Sequence, residues 1–535
     1  MTETGATGGA APDRQHDRGE PSRRVVVGGG LAVGVGVVAA GALVAGCDSK
    51  GANQAGGDGP PRDVTGSNLG SGGQAYAPLG DPTEEPVGGQ PPTGAERSVA
   101  DFDYQVKYQR AFEAALWAMP AVVIYRMRDW AFQELGAENN TIFSYSETAG
   151  PNLEVATSNS STPYIGGYTD LQNGPVVLEV PASGADGTLY GQVVDAWQFT
   201  IADIGPSGLD KGQASNYLFT PPGYIHVASP NYRIAFAFRS VVLPGKTQKD
   251  AFDYAHRLKM YYLSDAAGPP EQKFIDPSHV RYAGLPRYDE RYFDDVHQVF
   301  SVEPVRDRDT AMMGMLASLG IRQGRPYAPD ETAKRAMRQA AIDAWYFLQD
   351  YFDTLPADRF YWPDRHYASL LMSDERRRFE YTYADRIDTI PRAAQFAWCT
   401  YVPVELSDTP ATQYLVAMAD KNGNRLEAGK SYRVDVPKDV PVEQFWALTV
   451  YDRATFSFIY ARDRRTTLSS YDLATMKANA DGSVSIFVGP KVPEAMESNW
   501  IDTAGKRPMP MFRFYGPEKA LNDRSFRMPD FERID

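Results

Sequence analysis

Residues 232–242 read YRIAFAFRSVV, and they show most clearly how this chain folds. The large apolar side chains Ile234, Phe236 and Phe238 alternate with two arginines and two alanines. Alternation with a period of two is typical of a half-buried β-strand, because successive side chains point to opposite faces of a sheet. The pattern predicts a strand with its apolar face on a core.

Similar strands are predicted on both sides of a helical middle. The further predicted strands are 176–180, 189–197, 414–418, 431–436, 445–451, 484–488 and 511–515. Asn422-Gly423 predicts a hairpin turn between two of them. The predicted helices of the middle are 251–262, 307–319 and 330–352, where apolar residues recur at helical spacing. This order predicts a mixed α+β protein, mainly β, with strands before the helices and an antiparallel sandwich or barrel after them.

A helix is predicted to precede the first strands. Apolar side chains recur every four residues from Tyr104 to Leu116, which is the stripe of an amphipathic helix. Pro120 is expected to break or kink this helix, because proline lacks the N–H that an interior position donates. A second helical piece is expected up to about Leu135, ended by Gly136.

Composition and charge exclude several classes of protein. The chain has 535 residues, of which 43% are hydrophobic and 23% charged, as in folded globular proteins. Its 54 basic and 68 acidic residues give a net charge of −14, which disfavours a general nucleic-acid binder. Two cysteines, Cys47 and Cys399, exclude a disulfide-rich scaffold and a zinc site built from several cysteines.

The amino terminus resembles an export signal with a lipid attachment point. Arg23 and Arg24 precede the uncharged, glycine-rich residues 25–46, an arrangement similar to a twin-arginine signal. The run ends in Leu-Val-Ala-Gly before Cys47, which resembles a bacterial lipobox, where the cysteine is acylated and the chain is cut before it. The alternative is an uncleaved anchor helix. We therefore predict an exported lipoprotein held at the membrane through Cys47, with an extracytoplasmic location.

Five segments are predicted along the chain. Residues 1–46 form the signal peptide, and residues 47–100 form a disordered tether because Gly, Pro, Ser and Gln dominate them. The folded segments are 101–250, with leading helices and strands, 251–398, the helical portion, and 399–535, where strands return.

Two sets of motifs resemble known bacterial families. The first includes Asn159-Ser160-Ser161-Thr162-Pro163-Tyr164 and Val194-Asp195-Ala196-Trp197, and it resembles domain of unknown function 1254. The second includes residues 446–452, reading WALTVYD, and residues 513–517, reading RFYGP, and it resembles domain of unknown function 1214. The resemblance implies an immunoglobulin-like sandwich, a helical portion and a jelly-roll-like sandwich, and it implies no established reaction. Many members carry Asn-x-Asp where this chain has Asn159-Ser160-Ser161, so a role that needs a carboxylate there is in doubt.

The candidate catalytic residues are Asp195 and Asp203. Each is a carboxylate among apolar strand residues, where burial raises a pKa toward that of a general acid. The favoured alternative for Asp195 is an ion pair with an arginine such as Arg239.

Candidate ligand-binding residues are Asn159, Thr162 and Tyr164 on a loop, and Trp197 beside Asp195. For the loop residues, stabilisation of a turn is an equally good interpretation. No spacing of histidines or cysteines predicts a metal site, and no cofactor is predicted.

Two functions are left open. The first is a lipoprotein that binds an unknown small molecule or cell-envelope ligand through sandwich loops, with no nucleic acid as a partner. The second is an extracytoplasmic hydrolase or lyase that uses an aspartate as general acid or base. Convergence of Asp195, Asn159 and Tyr164 would favour the enzyme, and their separation would favour binding.

Overall fold

A computed structural model of the protein describes residues 89, 91–92, 94–222, 229–461 and 465–535. The predicted signal peptide, Cys47 and most of the predicted tether lie outside the described residues. Residues 95–535 form one compact unit, and the architecture below is that of this unit.

The described residues form seven α-helices and 20 β-strands. The helices are α1 (Phe102–Glu134), α2 (Gln248–Ala255), α3 (Arg291–Phe300), α4 (Thr310–Ala317), α5 (Glu331–Asp353), α6 (Thr389–Trp398) and α7 (Lys519–Asn522). The strands of the first half are β1 (Ile142–Ser144), β2 (Leu153–Glu154), β3 (Tyr164–Asp170), β4 (Val176–Val180), β5 (Leu189–Asp195), β6 (Thr200–Ile204), β7 (Ser215–Phe219), β8 (Arg233–Ser240), β9 (Lys259–Tyr262), β10 (Phe274–Ile275) and β11 (Tyr282–Ala283). The strands of the second half are β12 (Tyr367–Ser369), β13 (Thr412–Ala417), β14 (Tyr432–Val436), β15 (Val442–Asp452), β16 (Thr467–Ser469), β17 (Val484–Gly489), β18 (Trp500–Asp502), β19 (Pro508–Pro517) and β20 (Glu532–Arg533).

Helix α1 is the centre of the helical layer, and α3, α5 and α6 pack on it. Asp101 caps its first turn by accepting a hydrogen bond from the Tyr104 N–H, and Gly136 follows its end with a φ of 63°. The prediction that the helix breaks at Pro120 was wrong, since α1 runs through it. Burial of the surrounding turns against the other helices outweighs the one lost backbone hydrogen bond.

The first β-rich part contains two larger sheets with a common core, and a small third sheet formed by β2 and β11. The strand orders of the two larger sheets are β10-β1-β3-β8-β5-β6 and β7-β4-β9. Leu178 from the smaller sheet packs in one apolar cluster with Phe236 and Phe238 from β8, so the predicted strand at 232–242 is confirmed with its apolar face on a core. The predicted helix at 251–262 is only partly present, because α2 ends at Ala255 and β9 begins at Lys259.

The second β-rich part also contains two sheets around one core. Their strand orders are β12-β13-β19-β15-β16 and β18-β17-β14-β20, and Leu448 and Phe512 of the first pack with Ile486 of the second. A turn does form at Gly423, with a φ of 79°. The predicted hairpin was nevertheless wrong, because β13 pairs with β12 and β19 while β14 pairs with β17 and β20.

The predicted fold class, mixed and mainly β with a helical middle, is confirmed. The immunoglobulin-like and jelly-roll-like descriptions and the segment boundaries stay predictions. Within the described ranges, none of the helices has the length and apolar character needed to cross a membrane.

Candidate functional site

One face of the six-stranded sheet carries an arginine between two tyrosines. Arg239 on β8 lies opposite Tyr164 on β3 and Tyr190 on β5, because β8 pairs with both strands. Its guanidinium carbon lies 5.9 Å from the ring centre of Tyr164 and 5.8 Å from that of Tyr190. Since side chains alternate along a strand, this row points away from the core that holds Phe238.

The five-stranded sheet supplies a second row of tyrosine and arginine side chains, which faces the row formed by Tyr164, Arg239 and Tyr190. Tyr414 on β13 is the register partner of Arg513 on β19, and the guanidinium carbon of Arg513 lies 5.7 Å from the ring centre of Tyr414. Nη1 of Arg239 lies 3.4 Å from the hydroxyl oxygen of Tyr414 and 3.4 Å from that of Tyr190. The rows from the two sheets therefore meet at Arg239.

The loop before β3 joins both rows through Asn159, which is fully buried. Its backbone N–H donates to the hydroxyl of Tyr164 over 2.8 Å, and its Nδ2 donates to the hydroxyl of Tyr515 over 2.8 Å. Nδ2 also lies 3.3 Å from Oγ1 of Thr162, and Oδ1 accepts the Ser161 N–H. Asn159, Thr162 and Tyr164 therefore lie together, with Asn159 and Thr162 on the loop and Tyr164 at the start of β3 rather than on the loop. Their role in binding stays a prediction. We name Asn159, Tyr164, Tyr190, Arg239, Tyr414, Arg513 and Tyr515 the arginine–tyrosine cluster.

Arg513 holds the same loop in place. Its Nη2 donates to the carbonyls of Thr157 and Ser158 over 2.9 and 3.2 Å, and its Nη1 donates to Oγ1 of Thr449 over 3.0 Å. Thr157 has a φ of 47°, a left-handed conformation that β-branched residues rarely adopt. Hydrogen bonds fix it, because its N–H donates to the Phe456 carbonyl and its hydroxyl to the Trp398 carbonyl. Strained backbone of this kind occurs preferentially at functional sites.

The two arginines of the cluster have no acidic partner within the described part of the chain. Among the described residues, neither Arg239 nor Arg513 makes an ion pair, although Arg513 is 1% exposed. Burial lowers the pKa of each guanidinium, but the neighbouring phenols outweigh that effect, so the pKa of Arg239 lies well above its ordinary value. Both groups are therefore charged at neutral pH, and the site carries a positive charge that the described side chains do not balance.

Asp195 lies apart from this cluster. It is fully buried at the end of β5, and its Oδ1 accepts the N–H groups of Trp197 and Phe199 over 2.8 and 3.0 Å. Its Oδ2 lies 3.4 Å from Nη2 of Arg306, which also donates to Oδ1 of Asn231 over 2.7 Å. Burial raises the pKa of Asp195 to about 6, and Arg306 and the two backbone N–H groups oppose that shift. An arginine does pair with Asp195, but it is Arg306 and not the Arg239 named from the sequence.

Asp203 and Trp197 also have their contacts elsewhere. Asp203 accepts a hydrogen bond from Nε2 of Gln192 over 3.2 Å, and burial raises its pKa. Trp197 is 4% exposed and packs edge-on against Trp117 with ring centres 4.8 Å apart, so its ring belongs to the helical core. In the described contacts, neither side chain touches Asn159 or Tyr164.

The cluster contains no strong base or nucleophile. Cys399 is buried nearby, and burial raises the pKa of its thiol to about 11, although Arg513, Thr157 and Arg239 oppose the shift. Such a thiol is almost entirely protonated at neutral pH. Within the part of the chain that the structure describes, no three His, Cys, Asp or Glu side chains are grouped so that they could hold a metal ion. The arrangement can donate hydrogen bonds and present positive charge.

Sequence reasoning did not select Arg239, Arg513, Tyr190 or Tyr414 as site residues. The available signal was the phase of the strands, since an arginine at an alternate position of an otherwise apolar strand must face something polar. Residues 232–242 contain two such arginines, and only the fold distinguishes them. Nε of Arg233 lies 3.9 Å from Oδ2 of Asp170, whereas the guanidinium of Arg239 faces tyrosine rings.

The two halves of the cluster coincide with two families. Residues 139–263 match the family described as Protein of unknown function (DUF1254), and residues 411–519 match Protein of unknown function (DUF1214). The chain contains both domains, in the predicted order. Asn159 and Arg239 lie in the DUF1254 domain, and Tyr414 and Tyr515 lie in the DUF1214 domain. The cluster is thus formed where the two domains meet.

Two solved structures are similar to the DUF1254–DUF1214 chain. The VPA0106 protein from Vibrio parahaemolyticus is 15% identical with a TM-score of 0.45, and the match covers 80% of this chain and 100% of that one. An uncharacterized protein from Burkholderia cenocepacia is 14% identical with a TM-score of 0.34, and the match covers 81% of this chain and 96% of that one. No curated protein matches the chain.

Proposed function

We propose that this DUF1254–DUF1214 protein is an exported, lipid-anchored binding protein, and that its ligand occupies the arginine–tyrosine cluster. One observation carries the proposal: side chains of both domains converge on Arg239, a charged group without an acidic partner among the described residues. Burying such a charge is costly unless something compensates it. A bound ligand supplies the missing compensation.

The accessible surface of the cluster supports the same function. Arg239, Tyr164, Tyr190 and Tyr414 are half-buried, whereas Asn159 and Arg513 beneath them are buried. The accessible side chains are therefore the contact surface, and the buried ones hold them in position. Rigid support of this kind lowers the conformational entropy lost when a ligand binds.

The hydrolase or lyase is the weaker of the two functions. It would need Asp195 to act together with Asn159 and Tyr164, and the contacts of Asp195 are with Arg306, Trp197 and Phe199 instead. A base that activates a nucleophile must lie within hydrogen-bond reach of it. Asp195 therefore acts as a buried structural carboxylate in this proposal.

The amino-terminal segment supplies the anchor. Acylation of Cys47 would add two acyl chains, which is about what stable membrane attachment requires. The tether predicted from the sequence is about 50 residues long, and a flexible chain of that length would have a root-mean-square reach of about 40 Å. The net charge of −14 adds no attraction to anionic lipid headgroups.

Ligand-induced stabilisation of the full-length protein tests the binding function. Differential scanning fluorimetry is run with a library of small organic acids, amines, sugars and neutral compounds on the parent and on the double variant Tyr190→Phe/Tyr414→Phe. The matched control is Tyr346→Phe, which removes a hydroxyl from a side chain that is 58% exposed on α5. We expect compounds that raise the Tm of the parent and control by about 2 °C or more and have no effect on the double variant. Stabilisation that survives in the double variant would contradict the proposed site.

A further inference from the structure

We infer that the ligand of the arginine–tyrosine cluster is an organic carboxylate. The inference rests on the proposed binding function and adds the chemical class of the ligand. It is argued from hydrogen-bond donors, from the charge of the cluster and from the rings that line it.

The cluster presents donors whose acceptors are missing. The hydroxyl oxygens of Tyr164 and Tyr515 accept hydrogen bonds from Asn159, and those of Tyr190 and Tyr414 accept from Arg239. A tyrosine hydroxyl also carries a proton to donate. None of these four protons has an acceptor among the described residues, and the same is true of Nε and Nη2 of Arg239. A ligand that satisfies them must be rich in acceptors.

The charge of the cluster selects an anion over a neutral acceptor. Both guanidiniums are positive, and the carboxylates selected from the sequence are engaged elsewhere, Asp195 with Arg306 and Asp203 with Gln192. An ionised carboxylate accepts hydrogen bonds at both oxygens and forms charge-assisted bonds roughly twice as strong as neutral ones. A neutral amide offers one oxygen and adds donors of its own, which would oppose the four hydroxyl protons.

A single negative charge fits better than a phosphate dianion. Nη1 and Nη2 of Arg513 already donate to Thr449, Thr157 and Ser158. Nε of Arg513 has no partner among the described residues, but it is buried, so the half-buried Arg239 is the guanidinium that a ligand can reach. Its planar fork matches the geometry of a carboxylate. Phosphate sites in proteins use helix N-termini or successive backbone N–H groups, whereas strands and tyrosine side chains form this cluster.

Aromatic rings beside the donors favour an organic body on the acid. Tyr515 stacks on Phe445 with ring centres 4.1 Å apart, and Phe445 also contacts the ring of Tyr471, which is 70% exposed. Phe445 and Tyr515 are buried, so the exposed ring of Tyr471 is the part of this row that offers apolar area to a flat ligand. Benzoate, a carboxylate on a ring, is therefore the probe of choice.

Titration calorimetry of the full-length protein with sodium benzoate, benzamide and inorganic phosphate tests the inference. We expect benzoate to bind at least about tenfold more tightly than benzamide or phosphate, since the isosteric amide lacks the charge. Arg239→Lys should weaken benzoate binding by about tenfold, because lysine keeps the charge and loses the fork. Tyr190→Phe/Tyr414→Phe should also weaken it, and Tyr346→Phe should leave it unchanged.

The outcomes separate this inference from the binding function. Benzamide binding as tightly as benzoate, with both weakened in Tyr190→Phe/Tyr414→Phe, would overturn the carboxylate and keep the site. Phosphate binding more tightly than benzoate would overturn the assigned charge and geometry. Benzoate binding that is equal in the parent and in both cluster variants, or no benzoate binding at millimolar concentration, would overturn the inference outright. Only stabilisation that survives in Tyr190→Phe/Tyr414→Phe in the library screen counts against the binding function itself.

Discussion

Asn159 donates a hydrogen bond to the hydroxyl of Tyr515 over 2.8 Å, although 356 residues separate them. Asn159 belongs to the DUF1254 domain and Tyr515 to the DUF1214 domain, so this bond links the two. Both side chains are buried, so water could not replace the acceptor if this hydrogen bond were lost. The unsatisfied amide proton would then lower the stability of the folded protein. The same asparagine positions Tyr164 through its backbone N–H.

Removing the acceptor of this bond should destabilise the protein. We predict that Tyr515→Phe lowers the free energy of unfolding by about 1–2 kcal/mol, because Nδ2 of Asn159 keeps only the 3.3 Å contact with Thr162. The matched control is Tyr471→Phe, since Tyr471 also contacts the ring of Phe445 but is exposed. Urea denaturation followed by circular dichroism measures both variants. Equal losses in the two would show that the hydroxyl of Tyr515 has no special role.

The stability contribution of Asp195 should depend on pH with a defined sign. Its pKa is about 6 in the folded protein, above the 3.8 of an ordinary aspartate. Between these values the folded state binds the proton and the unfolded state does not, so folding is favoured as the pH falls through 6. Relative to Asp195→Asn, the parent should gain about 1 kcal/mol of stability between pH 7 and pH 5.

Comparison with the variant isolates Asp195 from other groups. Burial also raises the pKa of Asp295 to about 6, but that residue is present in both proteins and its effect cancels. Unfolding free energies are measured at several pH values for parent and Asp195→Asn. Parallel curves across this range would mean that Asp195 does not titrate there.

Acylation of Cys47 is the first test of the anchor. Mass spectrometry of the amino-terminal peptide from membranes should show a lipid adduct on a chain that begins at Cys47. Cys47→Ala should release the protein from the membrane or leave it unprocessed, because the thioether cannot form. A membrane-bound protein that still begins at Met1 would contradict lipid anchoring and favour an uncleaved helix.

The export route can be tested separately from the anchor. Arg23→Lys together with Arg24→Lys keeps the positive charge and removes the arginine pair, so it should block export through a twin-arginine route. Fractionation of cells that express each form measures the exported share. Unchanged export of the double variant would show that the twin-arginine route is not used and that the protein is exported as an unfolded chain.

Local sequence determined much of the secondary structure. Alternation at 232–242 predicted β8 and its buried face, because a period of two follows from strand geometry alone. Local patterns were less reliable where packing decides the outcome. Pro120 lies inside α1 because the helix is buried on its neighbours, and the chain around Gly423 turns from one sheet into another because the pairing partners of β13 and β14 are distant in sequence.

The candidate site shows the same division. The motifs identified the DUF1254 and DUF1214 domains and selected Asn159, Thr162 and Tyr164, which do lie together, although Tyr164 begins β3 and is not on the loop. They also marked Asp195 as a buried carboxylate that needs compensation. Strand periodicity predicts on which face of a sheet a side chain lies. Which residues contact that side chain depends on how the sheets and helices pack on one another. Only the tertiary structure could therefore pair Asp195 with Arg306 and place Arg239 among tyrosines from both domains.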